Sequence, residues 1–445
     1  MPNHLALFTD LYELTMAQAY FDEGMTDDAV FSLFVRSLPR RRNFLLACGM
    51  DTVLDYLENL HFDEEDLAYL ASLDEFSDRF LDWMRGFRFN GTVYAVPEGT
   101  PVFANEPILE VAAPLPEAQI VETFIMNQIH LQTVLCSKAQ RVVMAAQGRP
   151  VIDFGSRRMH GIDAALKAAR AFYIGGVAAT SNVLASKIYQ VPVTGTMAHS
   201  YIQAHDDERE AFREFARLYP ETVLLVDTYD TMEGVRRVIE LANTLGEEFK
   251  VSAVRLDSGD LLDLSREARR LLDEAGLGRV KIFASGGLDE DIIARLVSSG
   301  APIDAFGVGT SMGVSKDAPD LDLAYKLCEY AGKGRLKLSL GKPTLPGRKQ
   351  IFRVSMNGRY VRDVLARADE HLEGQPLLES VMRRGERLAA SRVSLESARA
   401  YASLQISRLP DHVRGITPAE PPYPVEVSPE LLRYQKEIKD RVRAM

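Results

Sequence analysis

Residues 251–287 read VSAVRLDSGDLLDLSREARRLLDEAGLGRVKIFASGG. Two short apolar runs, VSAVRLDSGD (251–260) and VKIFASGG (280–287), flank a segment of a different period. In it Leu261, Leu264, Ala268, Leu271, Leu272 and Ala275 recur at the spacing of one helical face, and Gly276 is placed as a helix stop. The same unit recurs on both sides, in PVIDFG (150–155), VPVTG (191–195), TVLLVDTYD (222–230) and IDAFGVGTS (303–311). From Val223 onward the strand starts lie about 24 to 29 residues apart, the length of one strand-plus-helix unit. Alternating strand and helix predicts a parallel sheet, and at least six units in series predict an α/β fold with a TIM-like barrel more than an open sheet.

The flanks differ from this middle. Residues 1–147 carry a helix pattern at DLYELTMAQAYFDEG, a strand AVFSLFVRSL and a Gly/Pro-punctuated β stretch, FNGTVYAVPEGTPVFANEPILEV. Beyond residue 322 come KLCEYAGKGRLKLS and QIFRVSMNGRYVRDVLA, the second with a hairpin turn at Asn357 and Gly358. The expected organisation is a barrel over 148–321 and one discontinuous second domain, with 1–147 completed by 322–445.

Composition bounds the function. At 445 residues, 46% hydrophobic and 26% charged, the chain is long enough for two or three globular domains. No stretch approaches the length of a membrane span, and MPNHLALFTDLYELTM has no basic segment followed by an apolar run, so the expected location is the cytoplasm, with no membrane partner. Cys48, Cys136 and Cys328 lie too far apart for a disulfide framework or a paired zinc site and read as reduced core residues. A formal net charge of -11 argues against a nucleic-acid partner, but not against small anions held by a local arginine cluster.

In a parallel barrel the loops after the strands carry function, and the last two often bind phosphate. Here those loops offer Ser285, Gly286 and Gly287, then Gly307, Gly309 and Thr310, with unobstructed backbone amides and hydroxyl donors. DFGSRRMHG adds Arg157 and Arg158 at one strand end; VRLDSGD adds Arg255, Asp257 and Asp260 at another. Taken singly these charges read as surface ion pairs. Converging on one face they read as a polyanion site, because a guanidinium fork gives a phosphate or carboxylate two bonds at once and aspartates suit Mg²⁺ or a developing positive charge. His199, in GTMAHSYI, falls on a strand-end loop of that face. It reads either as a satisfied structural histidine or as a nucleophile toward phosphorus; His205 is too far along to be an obvious metal co-ligand.

The motifs TDLYELTMAQAY, DFGSRRMHG, GTMAHS, VRLDSGDL, FASGGLD and FGVGTS, in this order over residues 9–311, resemble those of the nicotinate phosphoribosyltransferases. The resemblance implies an irregular α/β barrel with a second α/β domain formed by both termini, and a homodimer whose active sites are completed by the neighbouring subunit. It implies the joining of nicotinate to 5-phosphoribosyl-1-pyrophosphate, coupled to ATP hydrolysis through phosphorylation of His199, with Mg²⁺ entering as a substrate complex. Carried over motif by motif, Tyr12 would stack on the pyridine ring and Arg157 would pair with its carboxylate. Thr196, Arg255 and Ser285 would line the substrate site, Gly286, Gly287, Gly309 and Thr310 would cradle the 5′-phosphate, and Asp257 would stabilise the ribosyl transition state or its Mg²⁺. Without the family, Tyr12 reads as a core or interface aromatic. The chain departs from relatives with a cysteine-rich, zinc-binding C-terminus: Cys328 is its last cysteine, and its tail PPYPVEVSPELLRYQKEIKDRVRAM reads as a Pro-rich arm and a final helix. The alternatives are a related enzyme using nicotinamide or quinolinate, an aldolase-type barrel, or a non-catalytic sensor of phosphoribosyl ligands. Arg157 argues against nicotinamide, and Lys281 is poorly placed for an aldolase.

Overall fold

The computed structural model describes residues 5–338 and 344–444, so the first four residues and Ser339, the end of KLCEYAGKGRLKLS, lie outside it. The chain divides into two compact units, Met1–Val134 with Asp320–Met445, and Leu135–Pro319. Helix Glu122–Ala145 carries the chain from the first to the second.

The second unit holds six short parallel strands: β1 (Val151–Asp153), β2 (Ala179–Thr180), β3 (Val223–Leu225), β4 (Ala253–Leu256), β5 (Lys281–Ala284) and β6 (Ala305–Val308). Their order is β2-β1-β6-β5-β4-β3, and every pairing is parallel. The sheet curls as a half-barrel, and among the described residues β2 and β3 do not pair with each other, which makes the barrel irregular. Ile152, Ala179 and Phe283 pack against Phe154, Val223 and Ala305 in one apolar cluster. Helix Leu261–Glu274 is the one expected from the apolar spacing, and it buries Leu261, Ala268 and Leu272 while Ala275 is exposed. Gly276, at φ +72°, ends it with the paired bonds of a left-handed cap, Gly276 N–H to Asp273 O and Leu277 N–H to Leu272 O. Asp260, read as part of the polyanion site, instead caps this helix by accepting from Leu262 N and Asp263 N.

One expected strand is corrected. VPVTG does not form a strand; Val193 makes only a lone bridge with Thr180. Pro192 has no N–H to give a ladder, and residues 192–195 are exposed, so only Pro192 O and Thr194 N–H bond to Thr180. The strand in that place is Ala179–Thr180. His199 therefore does not follow a strand directly; it opens the short helix His199–Gln203.

The first unit takes strands from both ends of the chain. Asp28–Val35 pairs antiparallel with Leu323–Tyr330 on one side and with Pro107–Pro114, the central strand of a seven-stranded sheet, on the other. The hairpin of Lys349–Met356 and Arg359–Arg367 turns at Asn357 and Gly358, both with positive φ, as the Asn-Gly pair predicts. The tail adds strand Val425–Val427 and helix Pro429–Arg443, which buries Leu431 and Ile438. All three cysteines are buried, and no helix among the described residues is long and apolar enough to cross a membrane.

Charge is buried directly beneath the loop after β5. Glu290, the first residue of helix Glu290–Ser298, bonds the Lys138 ammonium and, at 3.0 Å, Arg141 Nε; Lys138 also reaches Asp317 at 2.6 Å. Burial disfavours the Glu290 carboxylate, but the two cations outweigh burial and hold its pKa low. Glu290→Ala leaves two buried cations short of their anion, so unfolding in urea should show a loss of about 3–5 kcal/mol. A loss under about 1 kcal/mol would show that the cluster is solvated rather than structural.

Candidate active site

Arg255 stands at the C-terminal end of β4, with its side chain 12% exposed. Its Nε donates to Ser285 Oγ at 2.8 Å, Nη1 to Thr196 Oγ1 at 2.6 Å and to Met197 O at 3.2 Å, and Nη2 to Asp257 Oδ1 at 2.7 Å. Ser285 Oγ in turn donates to the same Asp257 oxygen at 2.5 Å. Four residues expected from the sequence, Thr196, Arg255, Asp257 and Ser285, thus meet at one planar group. Burial opposes ionisation of Asp257, but the bonds from Arg255 and Ser285, and then the charges of Arg255 and His199, hold its pKa below the ordinary value.

The loop after β5 is shaped around this group. Gly286 has φ +87°, and a Cβ there would fall 1.7 Å from the Asp257 carbonyl oxygen, so no other residue fits without moving the backbone. Gly287 follows at φ +66° with open space beside it. After β6, a Cβ on Gly309 would come within 3.2 Å of Phe154 O, and Thr310 accepts a bond from Arg158 Nη1 at 3.2 Å. Because β1, β6, β5 and β4 are neighbours in the sheet, the loops that follow them lie side by side.

His199 Nδ1 is 3.1 Å from Thr228 Oγ1, and its Nε2 is 3.9 Å from Asp257 Oδ2, with the ring 40% exposed. The Thr228 bond restrains the ring plane while leaving an edge open to a ligand. Arg157 lies exposed in the turn Ser156–Arg158 and makes no hydrogen bond or ion pair among the described residues. Tyr12 belongs to the other unit, where the residue is 47% exposed.

Four residues went unassigned in the sequence. Asp227 Oδ2 accepts from Asp257 N at 3.0 Å and Ser258 Oγ at 2.6 Å, which ties the loop after β3 to the loop after β4. Thr228, beside it, holds His199. Asp153 ends β1 fully buried, taking Gly155 N–H at 2.8 Å and the Thr180 hydroxyl at 2.7 Å; burial outweighs those bonds and raises its pKa. Phe154 places its ring 5.5 Å from the Arg255 guanidinium carbon and lines a cavity of about 460 Å³ that it shares with Thr196 and Phe283. The available signal was position: TVLLVDTYD and PVIDFG put these residues at strand ends, as VRLDSGD does for Arg255.

Among the described residues no group of three or more His, Cys, Asp or Glu is arranged to hold a metal ion. Asp227 Oδ1, however, is buried without a hydrogen-bond partner, and with Asp257 it suits a cation delivered by a polyanionic substrate better than a resident one.

Residues 7–130 match the family model for the nicotinate phosphoribosyltransferase N-terminal domain, and residues 135–326 match that for the quinolinate phosphoribosyl transferase C-terminal domain. The chain is similar to a nicotinate phosphoribosyltransferase of Mycobacterium tuberculosis, at 55% identity over 427 residues, covering 96% of this chain and 92% of that one. It is also similar to a nicotinate phosphoribosyltransferase of Bacillus subtilis, at 41% identity over 384 residues, covering 84% and 78%. Among solved structures, human nicotinic acid phosphoribosyltransferase superposes with a TM-score of 0.86 at 28% identity, covering 97% of this chain and 99% of that one. Nicotinate-nucleotide pyrophosphorylase from Pyrococcus furiosus superposes with a TM-score of 0.74 at 28% identity, covering 91% and 95%.

The depressed pKa of Asp257 has a measurable sign. A group whose folded pKa is low contributes stability above its unfolded pKa and loses it as pH falls through the folded value. The thermal midpoint of the wild type should exceed that of Asp257→Asn at pH 7, and the gap should close as pH drops below about 4. A gap constant across that range would contradict the Arg255–Asp257 pairing.

Proposed function

The chain belongs to the nicotinate phosphoribosyltransferase family of NAD biosynthesis, and from that premise we propose that it joins nicotinate to 5-phosphoribosyl-1-pyrophosphate, giving nicotinate mononucleotide and pyrophosphate. The observation that carries this reading is the convergence of Thr196, Asp257 and Ser285 on the Arg255 guanidinium, beside two glycine loops. Amides of Gly286, Gly287 and Gly309 and the Thr310 hydroxyl would take the 5′-phosphate. The pyridine nitrogen then attacks C1′ of the ribose, the bond from C1′ to the pyrophosphate oxygen breaks, and the leaving group departs with the electron pair. Positive charge spreads over C1′ and the ring oxygen in the transition state, and Asp257, kept ionised by Arg255 and Ser285, supplies the opposing charge. Mg²⁺ bound to the diphosphate would neutralise the leaving group, with Asp227 and Asp257 as its protein ligands.

Substrate choice rests on Arg157 and Tyr12. Arg158 is engaged with Thr310, which leaves the unpaired Arg157 guanidinium for one carboxylate, as in nicotinate, rather than the two of quinolinate. Tyr12 presents an exposed ring suited to stacking on the pyridine. A homodimer with shared sites fits the exposed Ile162, Val183, Leu184 and Ile188 of the barrel unit, apolar surface that a second copy would cover.

ATP enters through His199. An imidazole nitrogen attacks the γ-phosphorus, ADP leaves, and the phosphoryl group later passes to water as phosphate. While present, it adds negative charge next to Asp257 and resets the affinities of the cleft for substrate and product.

Incubation with γ-labelled ATP should place acid-labile, base-stable label on the wild type and none on His199→Ala, which should keep its fold and lose ATP stimulation. Label that persists in the variant would exclude this histidine as the acceptor. Arg157→Ala should weaken nicotinate by about 1.5–3 kcal/mol, the worth of a charge-assisted bond, with far less effect on 5-phosphoribosyl-1-pyrophosphate. Steady-state KM values for the two substrates decide this, and equal losses would overturn the assigned role.

A further inference from the structure

Glu13 follows Tyr12 in the first turn of helix Leu11–Asp22 and is fully buried. Both of its carboxyl oxygens are engaged: Oε2 with the Thr9 hydroxyl at 2.5 Å, Oε1 with the Thr123 hydroxyl at 2.6 Å. Thr9 precedes the helix and also reaches Ile120 O at 3.2 Å; Thr123 lies in the first turn of helix Glu122–Ala145 and also reaches Asp10 Oδ2 at 2.7 Å. Glu13 therefore clamps the turn that presents Tyr12 onto a second helix.

The groups facing this clamp are acidic or phenolic. Asp10 comes from its own segment and Glu122 from the long helix; Tyr56 comes from helix Met50–Asn59 and Tyr325 from strand Leu323–Tyr330. Burial, then the charges of Glu122, Glu13 and Asp10, keeps the Tyr12 phenol un-ionised. The cation nearby, Lys326, acts on Glu122, whose carboxyl burial nonetheless pushes up. None of the hydrogen-bond partners of Glu13 is a cation.

We propose that Glu13 is the positioning residue for Tyr12: protonated, it locks the first turn onto Thr9 and Thr123 and holds the ring where it stacks on nicotinate, and ionisation releases the lock. This rests on the assignment of Tyr12 to the nicotinate site. Burial, outweighing the two threonine bonds and reinforced by Glu122 and Asp10, raises the Glu13 pKa to about 7. Because the folded value lies above the ordinary carboxyl value, the locked state is favoured at lower pH and is lost as pH rises through about 7.

Initial rates at varied nicotinate test this in the full-length wild type and in Glu13→Gln, whose neutral amide cannot ionise. If only the protonated form presents Tyr12, the wild-type KM for nicotinate should rise about tenfold from pH 6 to pH 8, with a much smaller change in kcat, as the competent fraction falls. Glu13→Gln should hold that KM within about twofold over the same range. Thr123→Val, which removes a bond favouring the carboxylate, should move the transition to higher pH. A Glu13→Gln profile that follows the wild type, or a wild-type KM flat with pH, would overturn the proposal. Thermal midpoints judge the titration without substrate: the wild type should fall relative to Glu13→Gln as pH rises from 6 to 8, and parallel curves would also overturn it. Absence of nicotinate mononucleotide at every pH would instead defeat the nicotinate reading, while the midpoints still decide whether Glu13 titrates.

Discussion

The Arg255 guanidinium bonds three segments that lie far apart in the chain, Thr196 and Met197, its neighbour Asp257, and Ser285. A planar fork with fixed donor directions can do this; an ammonium, as a point charge on a flexible stem, cannot hold the same three directions. Since β2 and β3 do not pair among the described residues, no continuous ladder of those residues holds the segment around Thr196 in place. The lone bridge at Val193 and this guanidinium tie it to the sheet, which makes one side chain a structural tie as well as a proposed substrate-site residue. The loop after β5 obeys the same constraint, because Gly286 packs its backbone on the carbonyl of the residue that Arg255 holds.

Two aspartates at strand ends, Asp257 half-buried and Asp153 fully buried, are driven in opposite directions. Asp257 has a guanidinium and a hydroxyl on one oxygen and a histidine near the other, so it stays ionised in a half-buried place. Asp153 has an amide and a threonine hydroxyl and no cation among its hydrogen-bond partners, so burial wins and its pKa rises. In the proposed reaction the first would oppose a developing positive charge; the second braces the turn that carries Arg157. A chain of net charge -11 thus still groups arginines at the C-terminal end of one sheet, Arg157 and Arg158 after β1 and Arg255 on β4.

Much of this was legible in the sequence because it depends on local rules. The strand-helix-strand units, the Schellman end at Gly276 and the Asn357-Gly358 hairpin follow from period and turn chemistry, and the glycine loops follow from their place after β5 and β6. VPVTG failed because apolar composition suggested a strand where Pro192 removes a donor and solvent covers one side. Asp260 looked like a site residue, but its side chain is spent on capping a helix. Thr228 and Asp227 stayed hidden because their partners, His199 and Ser258, are 29 and 31 residues away, a distance that only the sheet order closes. Glu13 was hidden most deeply: a glutamate in a first helical turn reads as an ordinary dipole partner, and its burial depends on Thr123, 110 residues on.

The most direct measurement of the central claim is a competition in one vessel, with the purified protein, 5-phosphoribosyl-1-pyrophosphate, ATP and equal concentrations of nicotinate, nicotinamide and quinolinate. The account predicts that nicotinate mononucleotide accumulates with stoichiometric pyrophosphate, that nicotinamide mononucleotide does not form, and that carboxyl-labelled quinolinate releases no carbon dioxide. Preferential formation of nicotinamide mononucleotide, or release of labelled carbon dioxide, would contradict it.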